Sequence, residues 1–524
     1  MRGRITGVVA GAVALSLAVA GAAPAAPERK AAPSLGGPAD LLRLDAELRA
    51  LLSTDHTGNA NACGPRIGKL SALIARTEFE RLPLATRRVA LAGVLACADT
   101  GDQSEPVLAL ARRLEPLADE PRVLAGVNAA LLDDAVLQGR HQEAARRLIV
   151  IIDNDADRVK TWWAPFLSPV VIGVLGDEQM SRALLGRMVT LDWKDQLSAA
   201  AARNGWALLY SDLLLEDGDR AGAERVVAGA DEVETLVVLA QDVRYQRLWP
   251  RLAADGRLDW RKVAEAELAR RQAAARAAPD LMRLSFAVQE DLRRLERYEE
   301  AISIGQAMRK RLDDKAAPFE DRDLMAVTVL TELAMALLDT GRVAEAEAAF
   351  AQARAEAKRV DLVPVDPILD WADRLNRLGR HADALTLLKT IPEDELTDAG
   401  KMWRTAEQIC ALAATDAPAA WRLLPAAMVR EPNGPEALQK ALLCMDRQEE
   451  AAALFVQRLK EPGRRLDALG AARTVRRPPS VPEREAELLR RRDAMIARPE
   501  VQNALAAVGR PVDVPLAGEL YGWF

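Results

Sequence analysis

Residues 330–353 read LTELAMALLDTGRVAEAEAAFAQA, and residues 368–391 read ILDWADRLNRLGRHADALTLLKTI. Each stretch has an amphipathic helical pattern, then a glycine, a short polar turn and a second helix anchored by alanine. The same phrase recurs at residues 206–230 and 128–151. A helical phrase that recurs along a chain predicts stacked helix–turn–helix units, because one unit alone leaves its apolar face uncovered.

Two small residues mark each unit. The turn glycines are Gly139, Gly218, Gly341 and Gly379, and five residues later come Ala144, Ala223, Ala346 and Ala384. Glycine suits the end of a helix, where the backbone often enters the left-handed region. Alanine at the second position lets two helices approach closely. We therefore expect left-handed glycines and buried alanines at these positions.

The small position continues as a series along the chain, with intervals between 31 and 45 residues. The series is Pro106, Ala144, Ser181, Ala223, Arg261, Ala301, Ala346, Ala384, Ala420 and Ala451. Ser181, Arg261 and Ala420 are placed mainly by the spacing. The series predicts about ten stacked hairpins.

The pattern resembles the tetratricopeptide repeat. The clearest unit matches at Leu330, Leu333, Ala334, Leu337, Gly341, Ala346, Phe350 and Ala353, and the next matches at Trp371, Ala372, Leu375, Gly379, Ala384 and Leu388. The resemblance implies an all-α fold, a right-handed superhelical solenoid of helix–turn–helix repeats with atypical caps. It also implies that the first helix of each repeat lines a concave face that binds peptides or helices of a partner.

Groove positions follow from the resemblance in three units. They are Arg283, Phe286, Glu290, Arg293 and Arg294, then Thr328, Thr331, Met335 and Asp339, and then Asp366, Leu369, Asp373, Asn376 and Arg377. The set is mixed in charge. The Lys/Asn pair with which some family members hold a terminal carboxylate is missing, as Thr331/Met335 and Leu369/Asp373 show.

Composition agrees with a helical protein. Of 524 residues, 50% are hydrophobic, only 4% are aromatic and 28% are charged, so the apolar content is mostly aliphatic. This balance excludes a disordered chain and argues against an all-β secreted domain. The mean hydropathy of -0.08 excludes a polytopic membrane protein. The net charge of -6 gives no support for a nucleic-acid partner.

The N-terminus has the three-part plan of a secretory leader. Arg2 and Arg4 precede an apolar run to Ala20, and a small-x-small cleavage site follows. We expect residues 1–22 to be a signal peptide and 23–37 an Ala/Pro linker. The alternative is a retained anchor, but the run is short for spanning a bilayer. The expected location is periplasmic or secreted, with no integral membrane segment after cleavage.

The remaining chain divides into three parts. We expect an N-terminal helical cap over 38–99, the repeat solenoid over 100–470, and a C-terminal linker, helix and aromatic tail over 471–524. Pro478, Pro479 and Pro482 indicate an extended stretch before a final helix at about 483–498. Tyr521, Trp523 and Phe524 are interpreted either as a docking tail or as a cap on the last repeat.

Four cysteines in an exported chain suggest two disulfides. The spacings favour Cys63–Cys97, at the two ends of a helical hairpin, and Cys410–Cys444, late in helices two elements apart. Four cysteines allow three connectivities, and four buried thiols are the alternative.

Signatures of catalysis are missing. HExxH, the P-loop, GxGxxG and GxSxG do not occur, and no cofactor or metal is expected. Ten arginines between residues 464 and 498 are open to two interpretations. They could meet an acidic partner or an anionic lipid surface, or they could form i,i+4 pairs on a solvated helix, such as Glu487 with Arg491.

Three functions remain. The favoured one is an exported, non-catalytic scaffold of the cell envelope that binds a protein or peptide on its concave face. The alternative is a helical-scaffold enzyme acting on a cell-wall or peptide substrate. Cell-wall lyases of that build carry a Glu-Ser dipeptide in a separate catalytic domain, and no Glu-Ser occurs here. A structural subunit of an envelope complex is the third possibility.

Overall fold

The computed structural model describes residues 38–52, 69–70, 72–98, 105–160, 162, 167–193, 196–312, 314, 318–361 and 363–517. This part of the chain is helical, apart from two short strands near its C-terminus. The all-helical class predicted from the sequence is confirmed. The chain divides between Leu213 and Leu214 into two compact bodies, which are described separately below.

The first body begins with the residues predicted as a cap and ends inside a long helix. Its helices are α1 (Pro38–Leu52), α2 (Leu84–Ala98), α3 (Glu105–Leu114), α4 (Pro121–Leu137), α5 (His141–Val159), α6 (Ser168–Val174), α7 (Glu178–Met188) and most of α8 (Gln196–Glu216). Buried side chains from α1 to α4 form one cluster that includes Leu48, Phe79, Leu91, Leu114 and Leu131. Adjacent helices therefore share a core, as stacked hairpins require.

The second body continues the same alternation of helices. These are α9 (Arg220–Val227), α10 (Val233–Gln241), α11 (Trp249–Ala254), α12 (Trp260–Ala277), α13 (Met282–Arg294), α14 (Tyr298–Leu312), α15 (Arg322–Asp339), α16 (Val343–Arg359), α17 (Val365–Arg377), α18 (His381–Leu388), α19 (Asp398–Thr415), α20 (Ala417–Val429), α21 (Pro435–Cys444), α22 (Gln448–Lys460), α23 (Pro462–Ala471), α24 (Glu483–Ile496) and α25 (Pro499–Val508). The strands are β1 (Thr474–Arg476) and β2 (Asp513–Ala517).

One turn geometry joins the two helices within each of several hairpins. Gly139, Gly218, Gly341 and Gly379 all have φ between 66° and 80°, as predicted. The residue after Gly341 donates its N–H to Leu337 O at 2.8 Å, which closes the turn over the last helical residues. Glu296 and Asp446 adopt the same left-handed backbone without being glycine. The left-handed turn therefore recurs in more hairpins than glycine alone marks.

An arginine follows the left-handed residue in five of these turns and pairs with an acid three residues later. The pairs are Arg140–Glu143, Arg297–Glu300, Arg342–Glu345, Arg380–Asp383 and Arg447–Glu450. The acid lies in the first turn of the second helix, where negative charge is favourable. Each of these exposed pairs contributes only a few tenths of a kcal/mol.

The small positions lie at the helix contacts. Ala144, Ala223, Ala346 and Ala384 are fully buried, and so are Ala301, Ala420 and Ala451. Arg261 departs from the series, because it is exposed and Ala264 is buried in its place. Asp259 explains this shift. Its carboxylate accepts the N–H of Lys262, so α12 begins at Trp260, four residues after the left-handed Gly256.

The C-terminal segment is more structured than the expected linker, single helix and tail. Beyond α23 it forms β1, α24, α25 and β2, and the two strands pair in parallel. Trp260 Nε1 of α12 donates to Asp513 O of β2 at 3.1 Å. Buried Gln241 of α10 donates to Leu469 O of α23 at 2.9 Å. The last elements of the second body therefore contact its early helices as well as its late ones.

Several predicted features lie outside the described residues. These are the signal peptide at 1–22, the linker at 23–37, Cys63 and the side chain of Cys97, and the aromatics Tyr521, Trp523 and Phe524. The other cysteine pair is confirmed, since Cys410 and Cys444 form a disulfide with their Cα atoms 5.1 Å apart.

Candidate functional site

The predicted groove positions lie on α13, α15 and α17, the first helices of three consecutive hairpins in the second body. Many of them are buried rather than lining an open surface. The side chains that are less than a tenth exposed are Arg293, Thr331, Met335, Leu369, Asp373, Asn376 and Arg377. Their polar groups have partners within the same body.

The N-terminal end of α13 is hydrogen-bonded to the last residue of the loop that precedes α15. Asp321 accepts the backbone N–H groups of Met282 at 2.7 Å and Arg283 at 3.1 Å. The Arg283 guanidinium also contacts the Asp321 carboxylate, at 3.3 Å. Phe286 packs against the adjacent apolar core. Both predicted groove residues at this end therefore have structural contacts.

Arg293 links α13 to α15 by two ion pairs. Its guanidinium lies 2.7 Å from Glu332 and 3.3 Å from Asp339. Arg293 and Glu332 are buried, so the pair is strongly coupled to folding. Thr331 on the same helix donates its hydroxyl to Val327 O. The two predicted positions Arg293 and Asp339 are thus brought together by the fold.

An acid-rich cluster surrounds Arg294. The cluster consists of Glu232, Glu267, Arg271, Asp291 and Arg294. Glu267 accepts the Val233 N–H at 2.6 Å and Arg294 at 3.2 Å. Burial raises the pKa of Glu267 to about 7, against the opposing pull of Arg294 and Arg271. Three carboxylates facing two guanidiniums favour retention of a proton near neutral pH.

A second buried network joins α17, α19, α21 and α24. We call it the inner network, and its members are Asp373, Asn376, Arg377, Glu407, Lys440 and Glu485. Asp373 contacts Arg377 at 2.7 Å and also pairs with Lys440. Lys440 pairs in turn with Glu407, which accepts a hydrogen bond from Asn376 at 2.9 Å. Three predicted groove residues therefore meet in one network.

The electrostatics of the inner network differ between its two central acids. Burial disfavours ionisation of Asp373, but Arg377 and Lys440 outweigh it and lower its pKa. Burial raises the pKa of Glu407, and the nearby Asp373 raises it further against the opposing effect of Lys440. The network therefore holds Asp373 as the ionised partner of both cations.

The Cys410–Cys444 disulfide lies close to this network along both helices. Cys410 follows Glu407 by three residues on α19, and Cys444 follows Lys440 by four residues on α21. Residues at these spacings share a helix face. The disulfide therefore fixes the two helices one turn away from the Lys440–Glu407 pair.

The chain's own C-terminal segment contacts the helices that were predicted to hold a partner. Arg473 pairs with Glu234 at 2.5 Å, and Arg476 pairs with Glu296 at 3.1 Å. Ser480 donates its N–H to Asp339 O at 3.1 Å. Glu485 on α24 then reaches the inner network. We call residues 473–482 the strap, because this extended stretch crosses the ends of α13 and α15.

Three members of the inner network were missed at the sequence level. Lys440 stands six residues before the left-handed Asp446, as Asp373 stands six before Gly379. Reading Asp446 as a turn residue would therefore have placed Lys440 in the groove set. Glu407 and Glu485 carried no comparable signal, because α19 ends without a left-handed residue and α24 lies outside the repeat series.

The arginine-rich stretch between residues 464 and 498 is largely paired within the second body. Arg491 pairs with Glu487 at 2.9 Å, as the i,i+4 interpretation predicted. Arg464 pairs with Glu431, and Arg477 lies 3.0 Å from Asp493. These contacts favour a structural role for the stretch over an open basic surface.

Comparison with protein-family models found no match, and comparison with curated proteins found none either. Among the described residues, no helix has the length and apolar character needed to cross a bilayer.

Proposed function

We propose that this chain is an exported, non-catalytic scaffold of the cell envelope that binds a protein or peptide through a right-handed superhelix of tetratricopeptide-like repeats. The regular left-handed turns and the buried alanines support the repeat assignment. The Cys410–Cys444 disulfide is compatible with an oxidising compartment, as a periplasmic or secreted location requires.

The observation that carries the proposal is the seating of the C-terminal segment on the first helices. These helices hold a polypeptide of the same chain through ion pairs and backbone hydrogen bonds. Their polar groups thus suit an extended or helical polypeptide as a ligand. The C-terminal segment already occupies these polar groups. A partner can therefore pair with them only if it replaces part of the segment.

The strap is the part that we expect a partner to replace. Arg476 is half exposed, and Thr474 and Arg477 are also exposed. The apolar side chains Val475 and Val481 are only partly buried against the core, so release of the strap unpairs β1 from β2 but uncovers less apolar area than release of a helix would. Helices α24 and α25, by contrast, contribute Leu489, Met495 and other side chains to a buried core. The expected partner is an extended segment with basic side chains, since the strap presents arginines to Glu234 and Glu296.

The test is to close the strap covalently. A Cβ atom built on Gly341 lies 3.4 Å from Ser480 Cβ, close to the separation of about 3.5–4.5 Å found in disulfides. The double variant Gly341→Cys/Ser480→Cys should therefore form a bridge. Gly341 has φ 78°, so its replacement costs about 1 kcal/mol. The single variants Gly341→Cys and Ser480→Cys control for that strain.

Tagged chain comprising residues 23–524 would be mixed with its own envelope fraction, and captured proteins would be identified by mass spectrometry. We expect the unmodified chain and both single variants to capture the same partner, and the bridged double variant to lose it. Equal capture by the bridged variant would place the partner elsewhere. Failure to capture any partner, with turnover of a cell-wall or peptide substrate by the purified chain, would favour the enzyme alternative.

A further inference from the structure

Helix α20 carries an apolar ridge that the rest of the described chain leaves open. Trp421 is 50% exposed, Met428 53% and Val429 82%, and Pro425 between them is also exposed. The adjacent face of the helix packs through the buried residues Ala420, Leu424 and Ala427. The apolar surface of the helix is therefore wider than the stripe that packs against the core, which is unusual for a solvated helix.

The exposed side chains are aligned. Trp421, Pro425 and Met428 stand at positions i, i+4 and i+7 and so follow one line along the helix, with Val429 beside it. From Trp421 to Val429 the ridge is about 12 Å long. A contiguous apolar patch of this kind usually marks a contact surface.

Positive charge flanks the ridge. Arg422 and Arg430 are exposed and form no ion pair with a described carboxylate. The Arg447 guanidinium lies 4.5 Å from the centre of the Trp421 ring. Helix α20 itself contains no acidic residue.

Most acidic residues of the elements next to α20 already have a partner. Asp416 accepts the N–H of Ala419 at the start of α20. Glu431 pairs with Arg464, Glu450 with Arg447, and Glu393 with Arg404, whereas Glu449 in the first turn of α22 is exposed. The ridge is therefore apolar and the charged side chain of α20 is basic, while Asp416 and Glu431 lie just beyond the two ends of the helix.

We propose that α20 is a peripheral docking surface for an anionic phospholipid bilayer. An interfacial helix buries apolar side chains at the acyl boundary and extends arginines to the phosphates, and tryptophan favours that depth. A ridge suits a flat, deformable surface, whereas a partner helix would need a groove to enter. The proposal stands independently of the protein-binding function.

Vesicle sedimentation tests the proposal with the chain comprising residues 23–524. The probes are vesicles of phosphatidylcholine alone and vesicles with about 30% phosphatidylglycerol. We expect at least about threefold more protein on the anionic vesicles, and loss of that excess when salt shortens the Debye length. The variants Trp421→Ser/Met428→Ser and Arg422→Glu/Arg430→Glu should each remove the excess.

Matched controls are available elsewhere in the chain. Leu84 of α2 and Ile172 of α6 are each 41% exposed, so Leu84→Ser/Ile172→Ser removes exposed apolar side chains from other helices. Arg220 and Arg225 are exposed without a described ion pair, so Arg220→Glu/Arg225→Glu matches the change in charge. Both controls should bind like the unmodified chain, and unchanged far-UV circular dichroism would show that all variants fold.

Equal sedimentation with both vesicle types, or binding that the α20 variants leave unchanged, would overturn the proposal. A lack of vesicle binding would overturn it as well, and would favour a protein as the occupant of the ridge. The protein-binding function would survive each of these results, because it is tested by partner capture and the strap bridge.

Discussion

Glu485 of α24 and Arg377 of α17 form a buried ion pair at 3.0 Å, although 108 residues separate them in the sequence. Arg377 also contacts Asp373, so the pair joins the C-terminal segment to the inner network. Removing one partner of a buried pair leaves the other charge uncompensated, which is more harmful than replacing both.

The variant Glu485→Gln should therefore release α24. Breaking a buried pair costs about 3 kcal/mol, which corresponds to roughly hundredfold faster amide exchange where exchange reports local opening. Hydrogen-exchange mass spectrometry measures this increase in the exchange rate of the α24 amides. Glu483→Gln, on the exposed side of the same helix, is the control. Equal protection in both variants would contradict a role for the pair.

Glu267 should make the second body less stable as pH rises. Burial raises its pKa from 4.5 to about 7, so the folded state keeps a proton that the unfolded state releases between these values. The resulting stabilisation is complete below pH 4.5 and is lost as pH rises through about 7. Between these two limits the free energy of unfolding changes by about 3 kcal/mol.

The variant Glu267→Gln tests this dependence, because glutamine stays neutral and keeps an oxygen for the Val233 N–H. Between about pH 5 and pH 8, the melting temperature of the unmodified chain should fall by roughly 3–6 °C more than that of the variant. Glu265→Gln, an exposed change on the same helix, should leave the slope unaltered. Parallel slopes for all three proteins would refute the assignment.

The Cys410–Cys444 disulfide should stabilise the second body. It closes a loop with a sequence separation of 34 residues, and the chain-entropy treatment gives about 3–4 kcal/mol for such a loop. Replacing both cysteines by alanine should lower the urea midpoint accordingly. Thiol counting on the unmodified chain without reductant verifies the starting state. An unchanged midpoint would show that native contacts alone hold α19 to α21.

Two glycines inside helices should respond to alanine in opposite ways. A Cβ atom on Gly305 of α14 would lie 2.9 Å from Leu333 Cβ and 2.7 Å from Gln289 Nε2, so Gly305→Ala should destabilise by about 1–3 kcal/mol. Gly470 of α23 has open space around it, so Gly470→Ala should stabilise by about 0.5 kcal/mol. Thermal unfolding of both variants checks the signs, and a stabilising Gly305→Ala would contradict the close packing of α14 and α15.

Local features of the fold were predictable because they depend on neighbouring residues. Gly341 and Ala346 occupy the left-handed turn and the buried contact that their residue types favour. Glu296 shows the limit, since the same left-handed turn forms there without glycine. The sequence could place Arg377 and Asp373 on a first helix, but not their pairing with residues of α21 and α24. Long-range pairs of this kind leave no periodic signal.

The bond between Gln241 and Leu469 spans 228 residues and has a kinetic consequence. Hairpins built from neighbouring helices need only local chain, so they can form as soon as each emerges. The joining of α10 to α23 must wait until nearly all of the second body is available. A synthesis intermediate that ends before α23 would hold formed hairpins in which Gln241, Glu296 and Arg377 lack the residues that meet them in the finished chain.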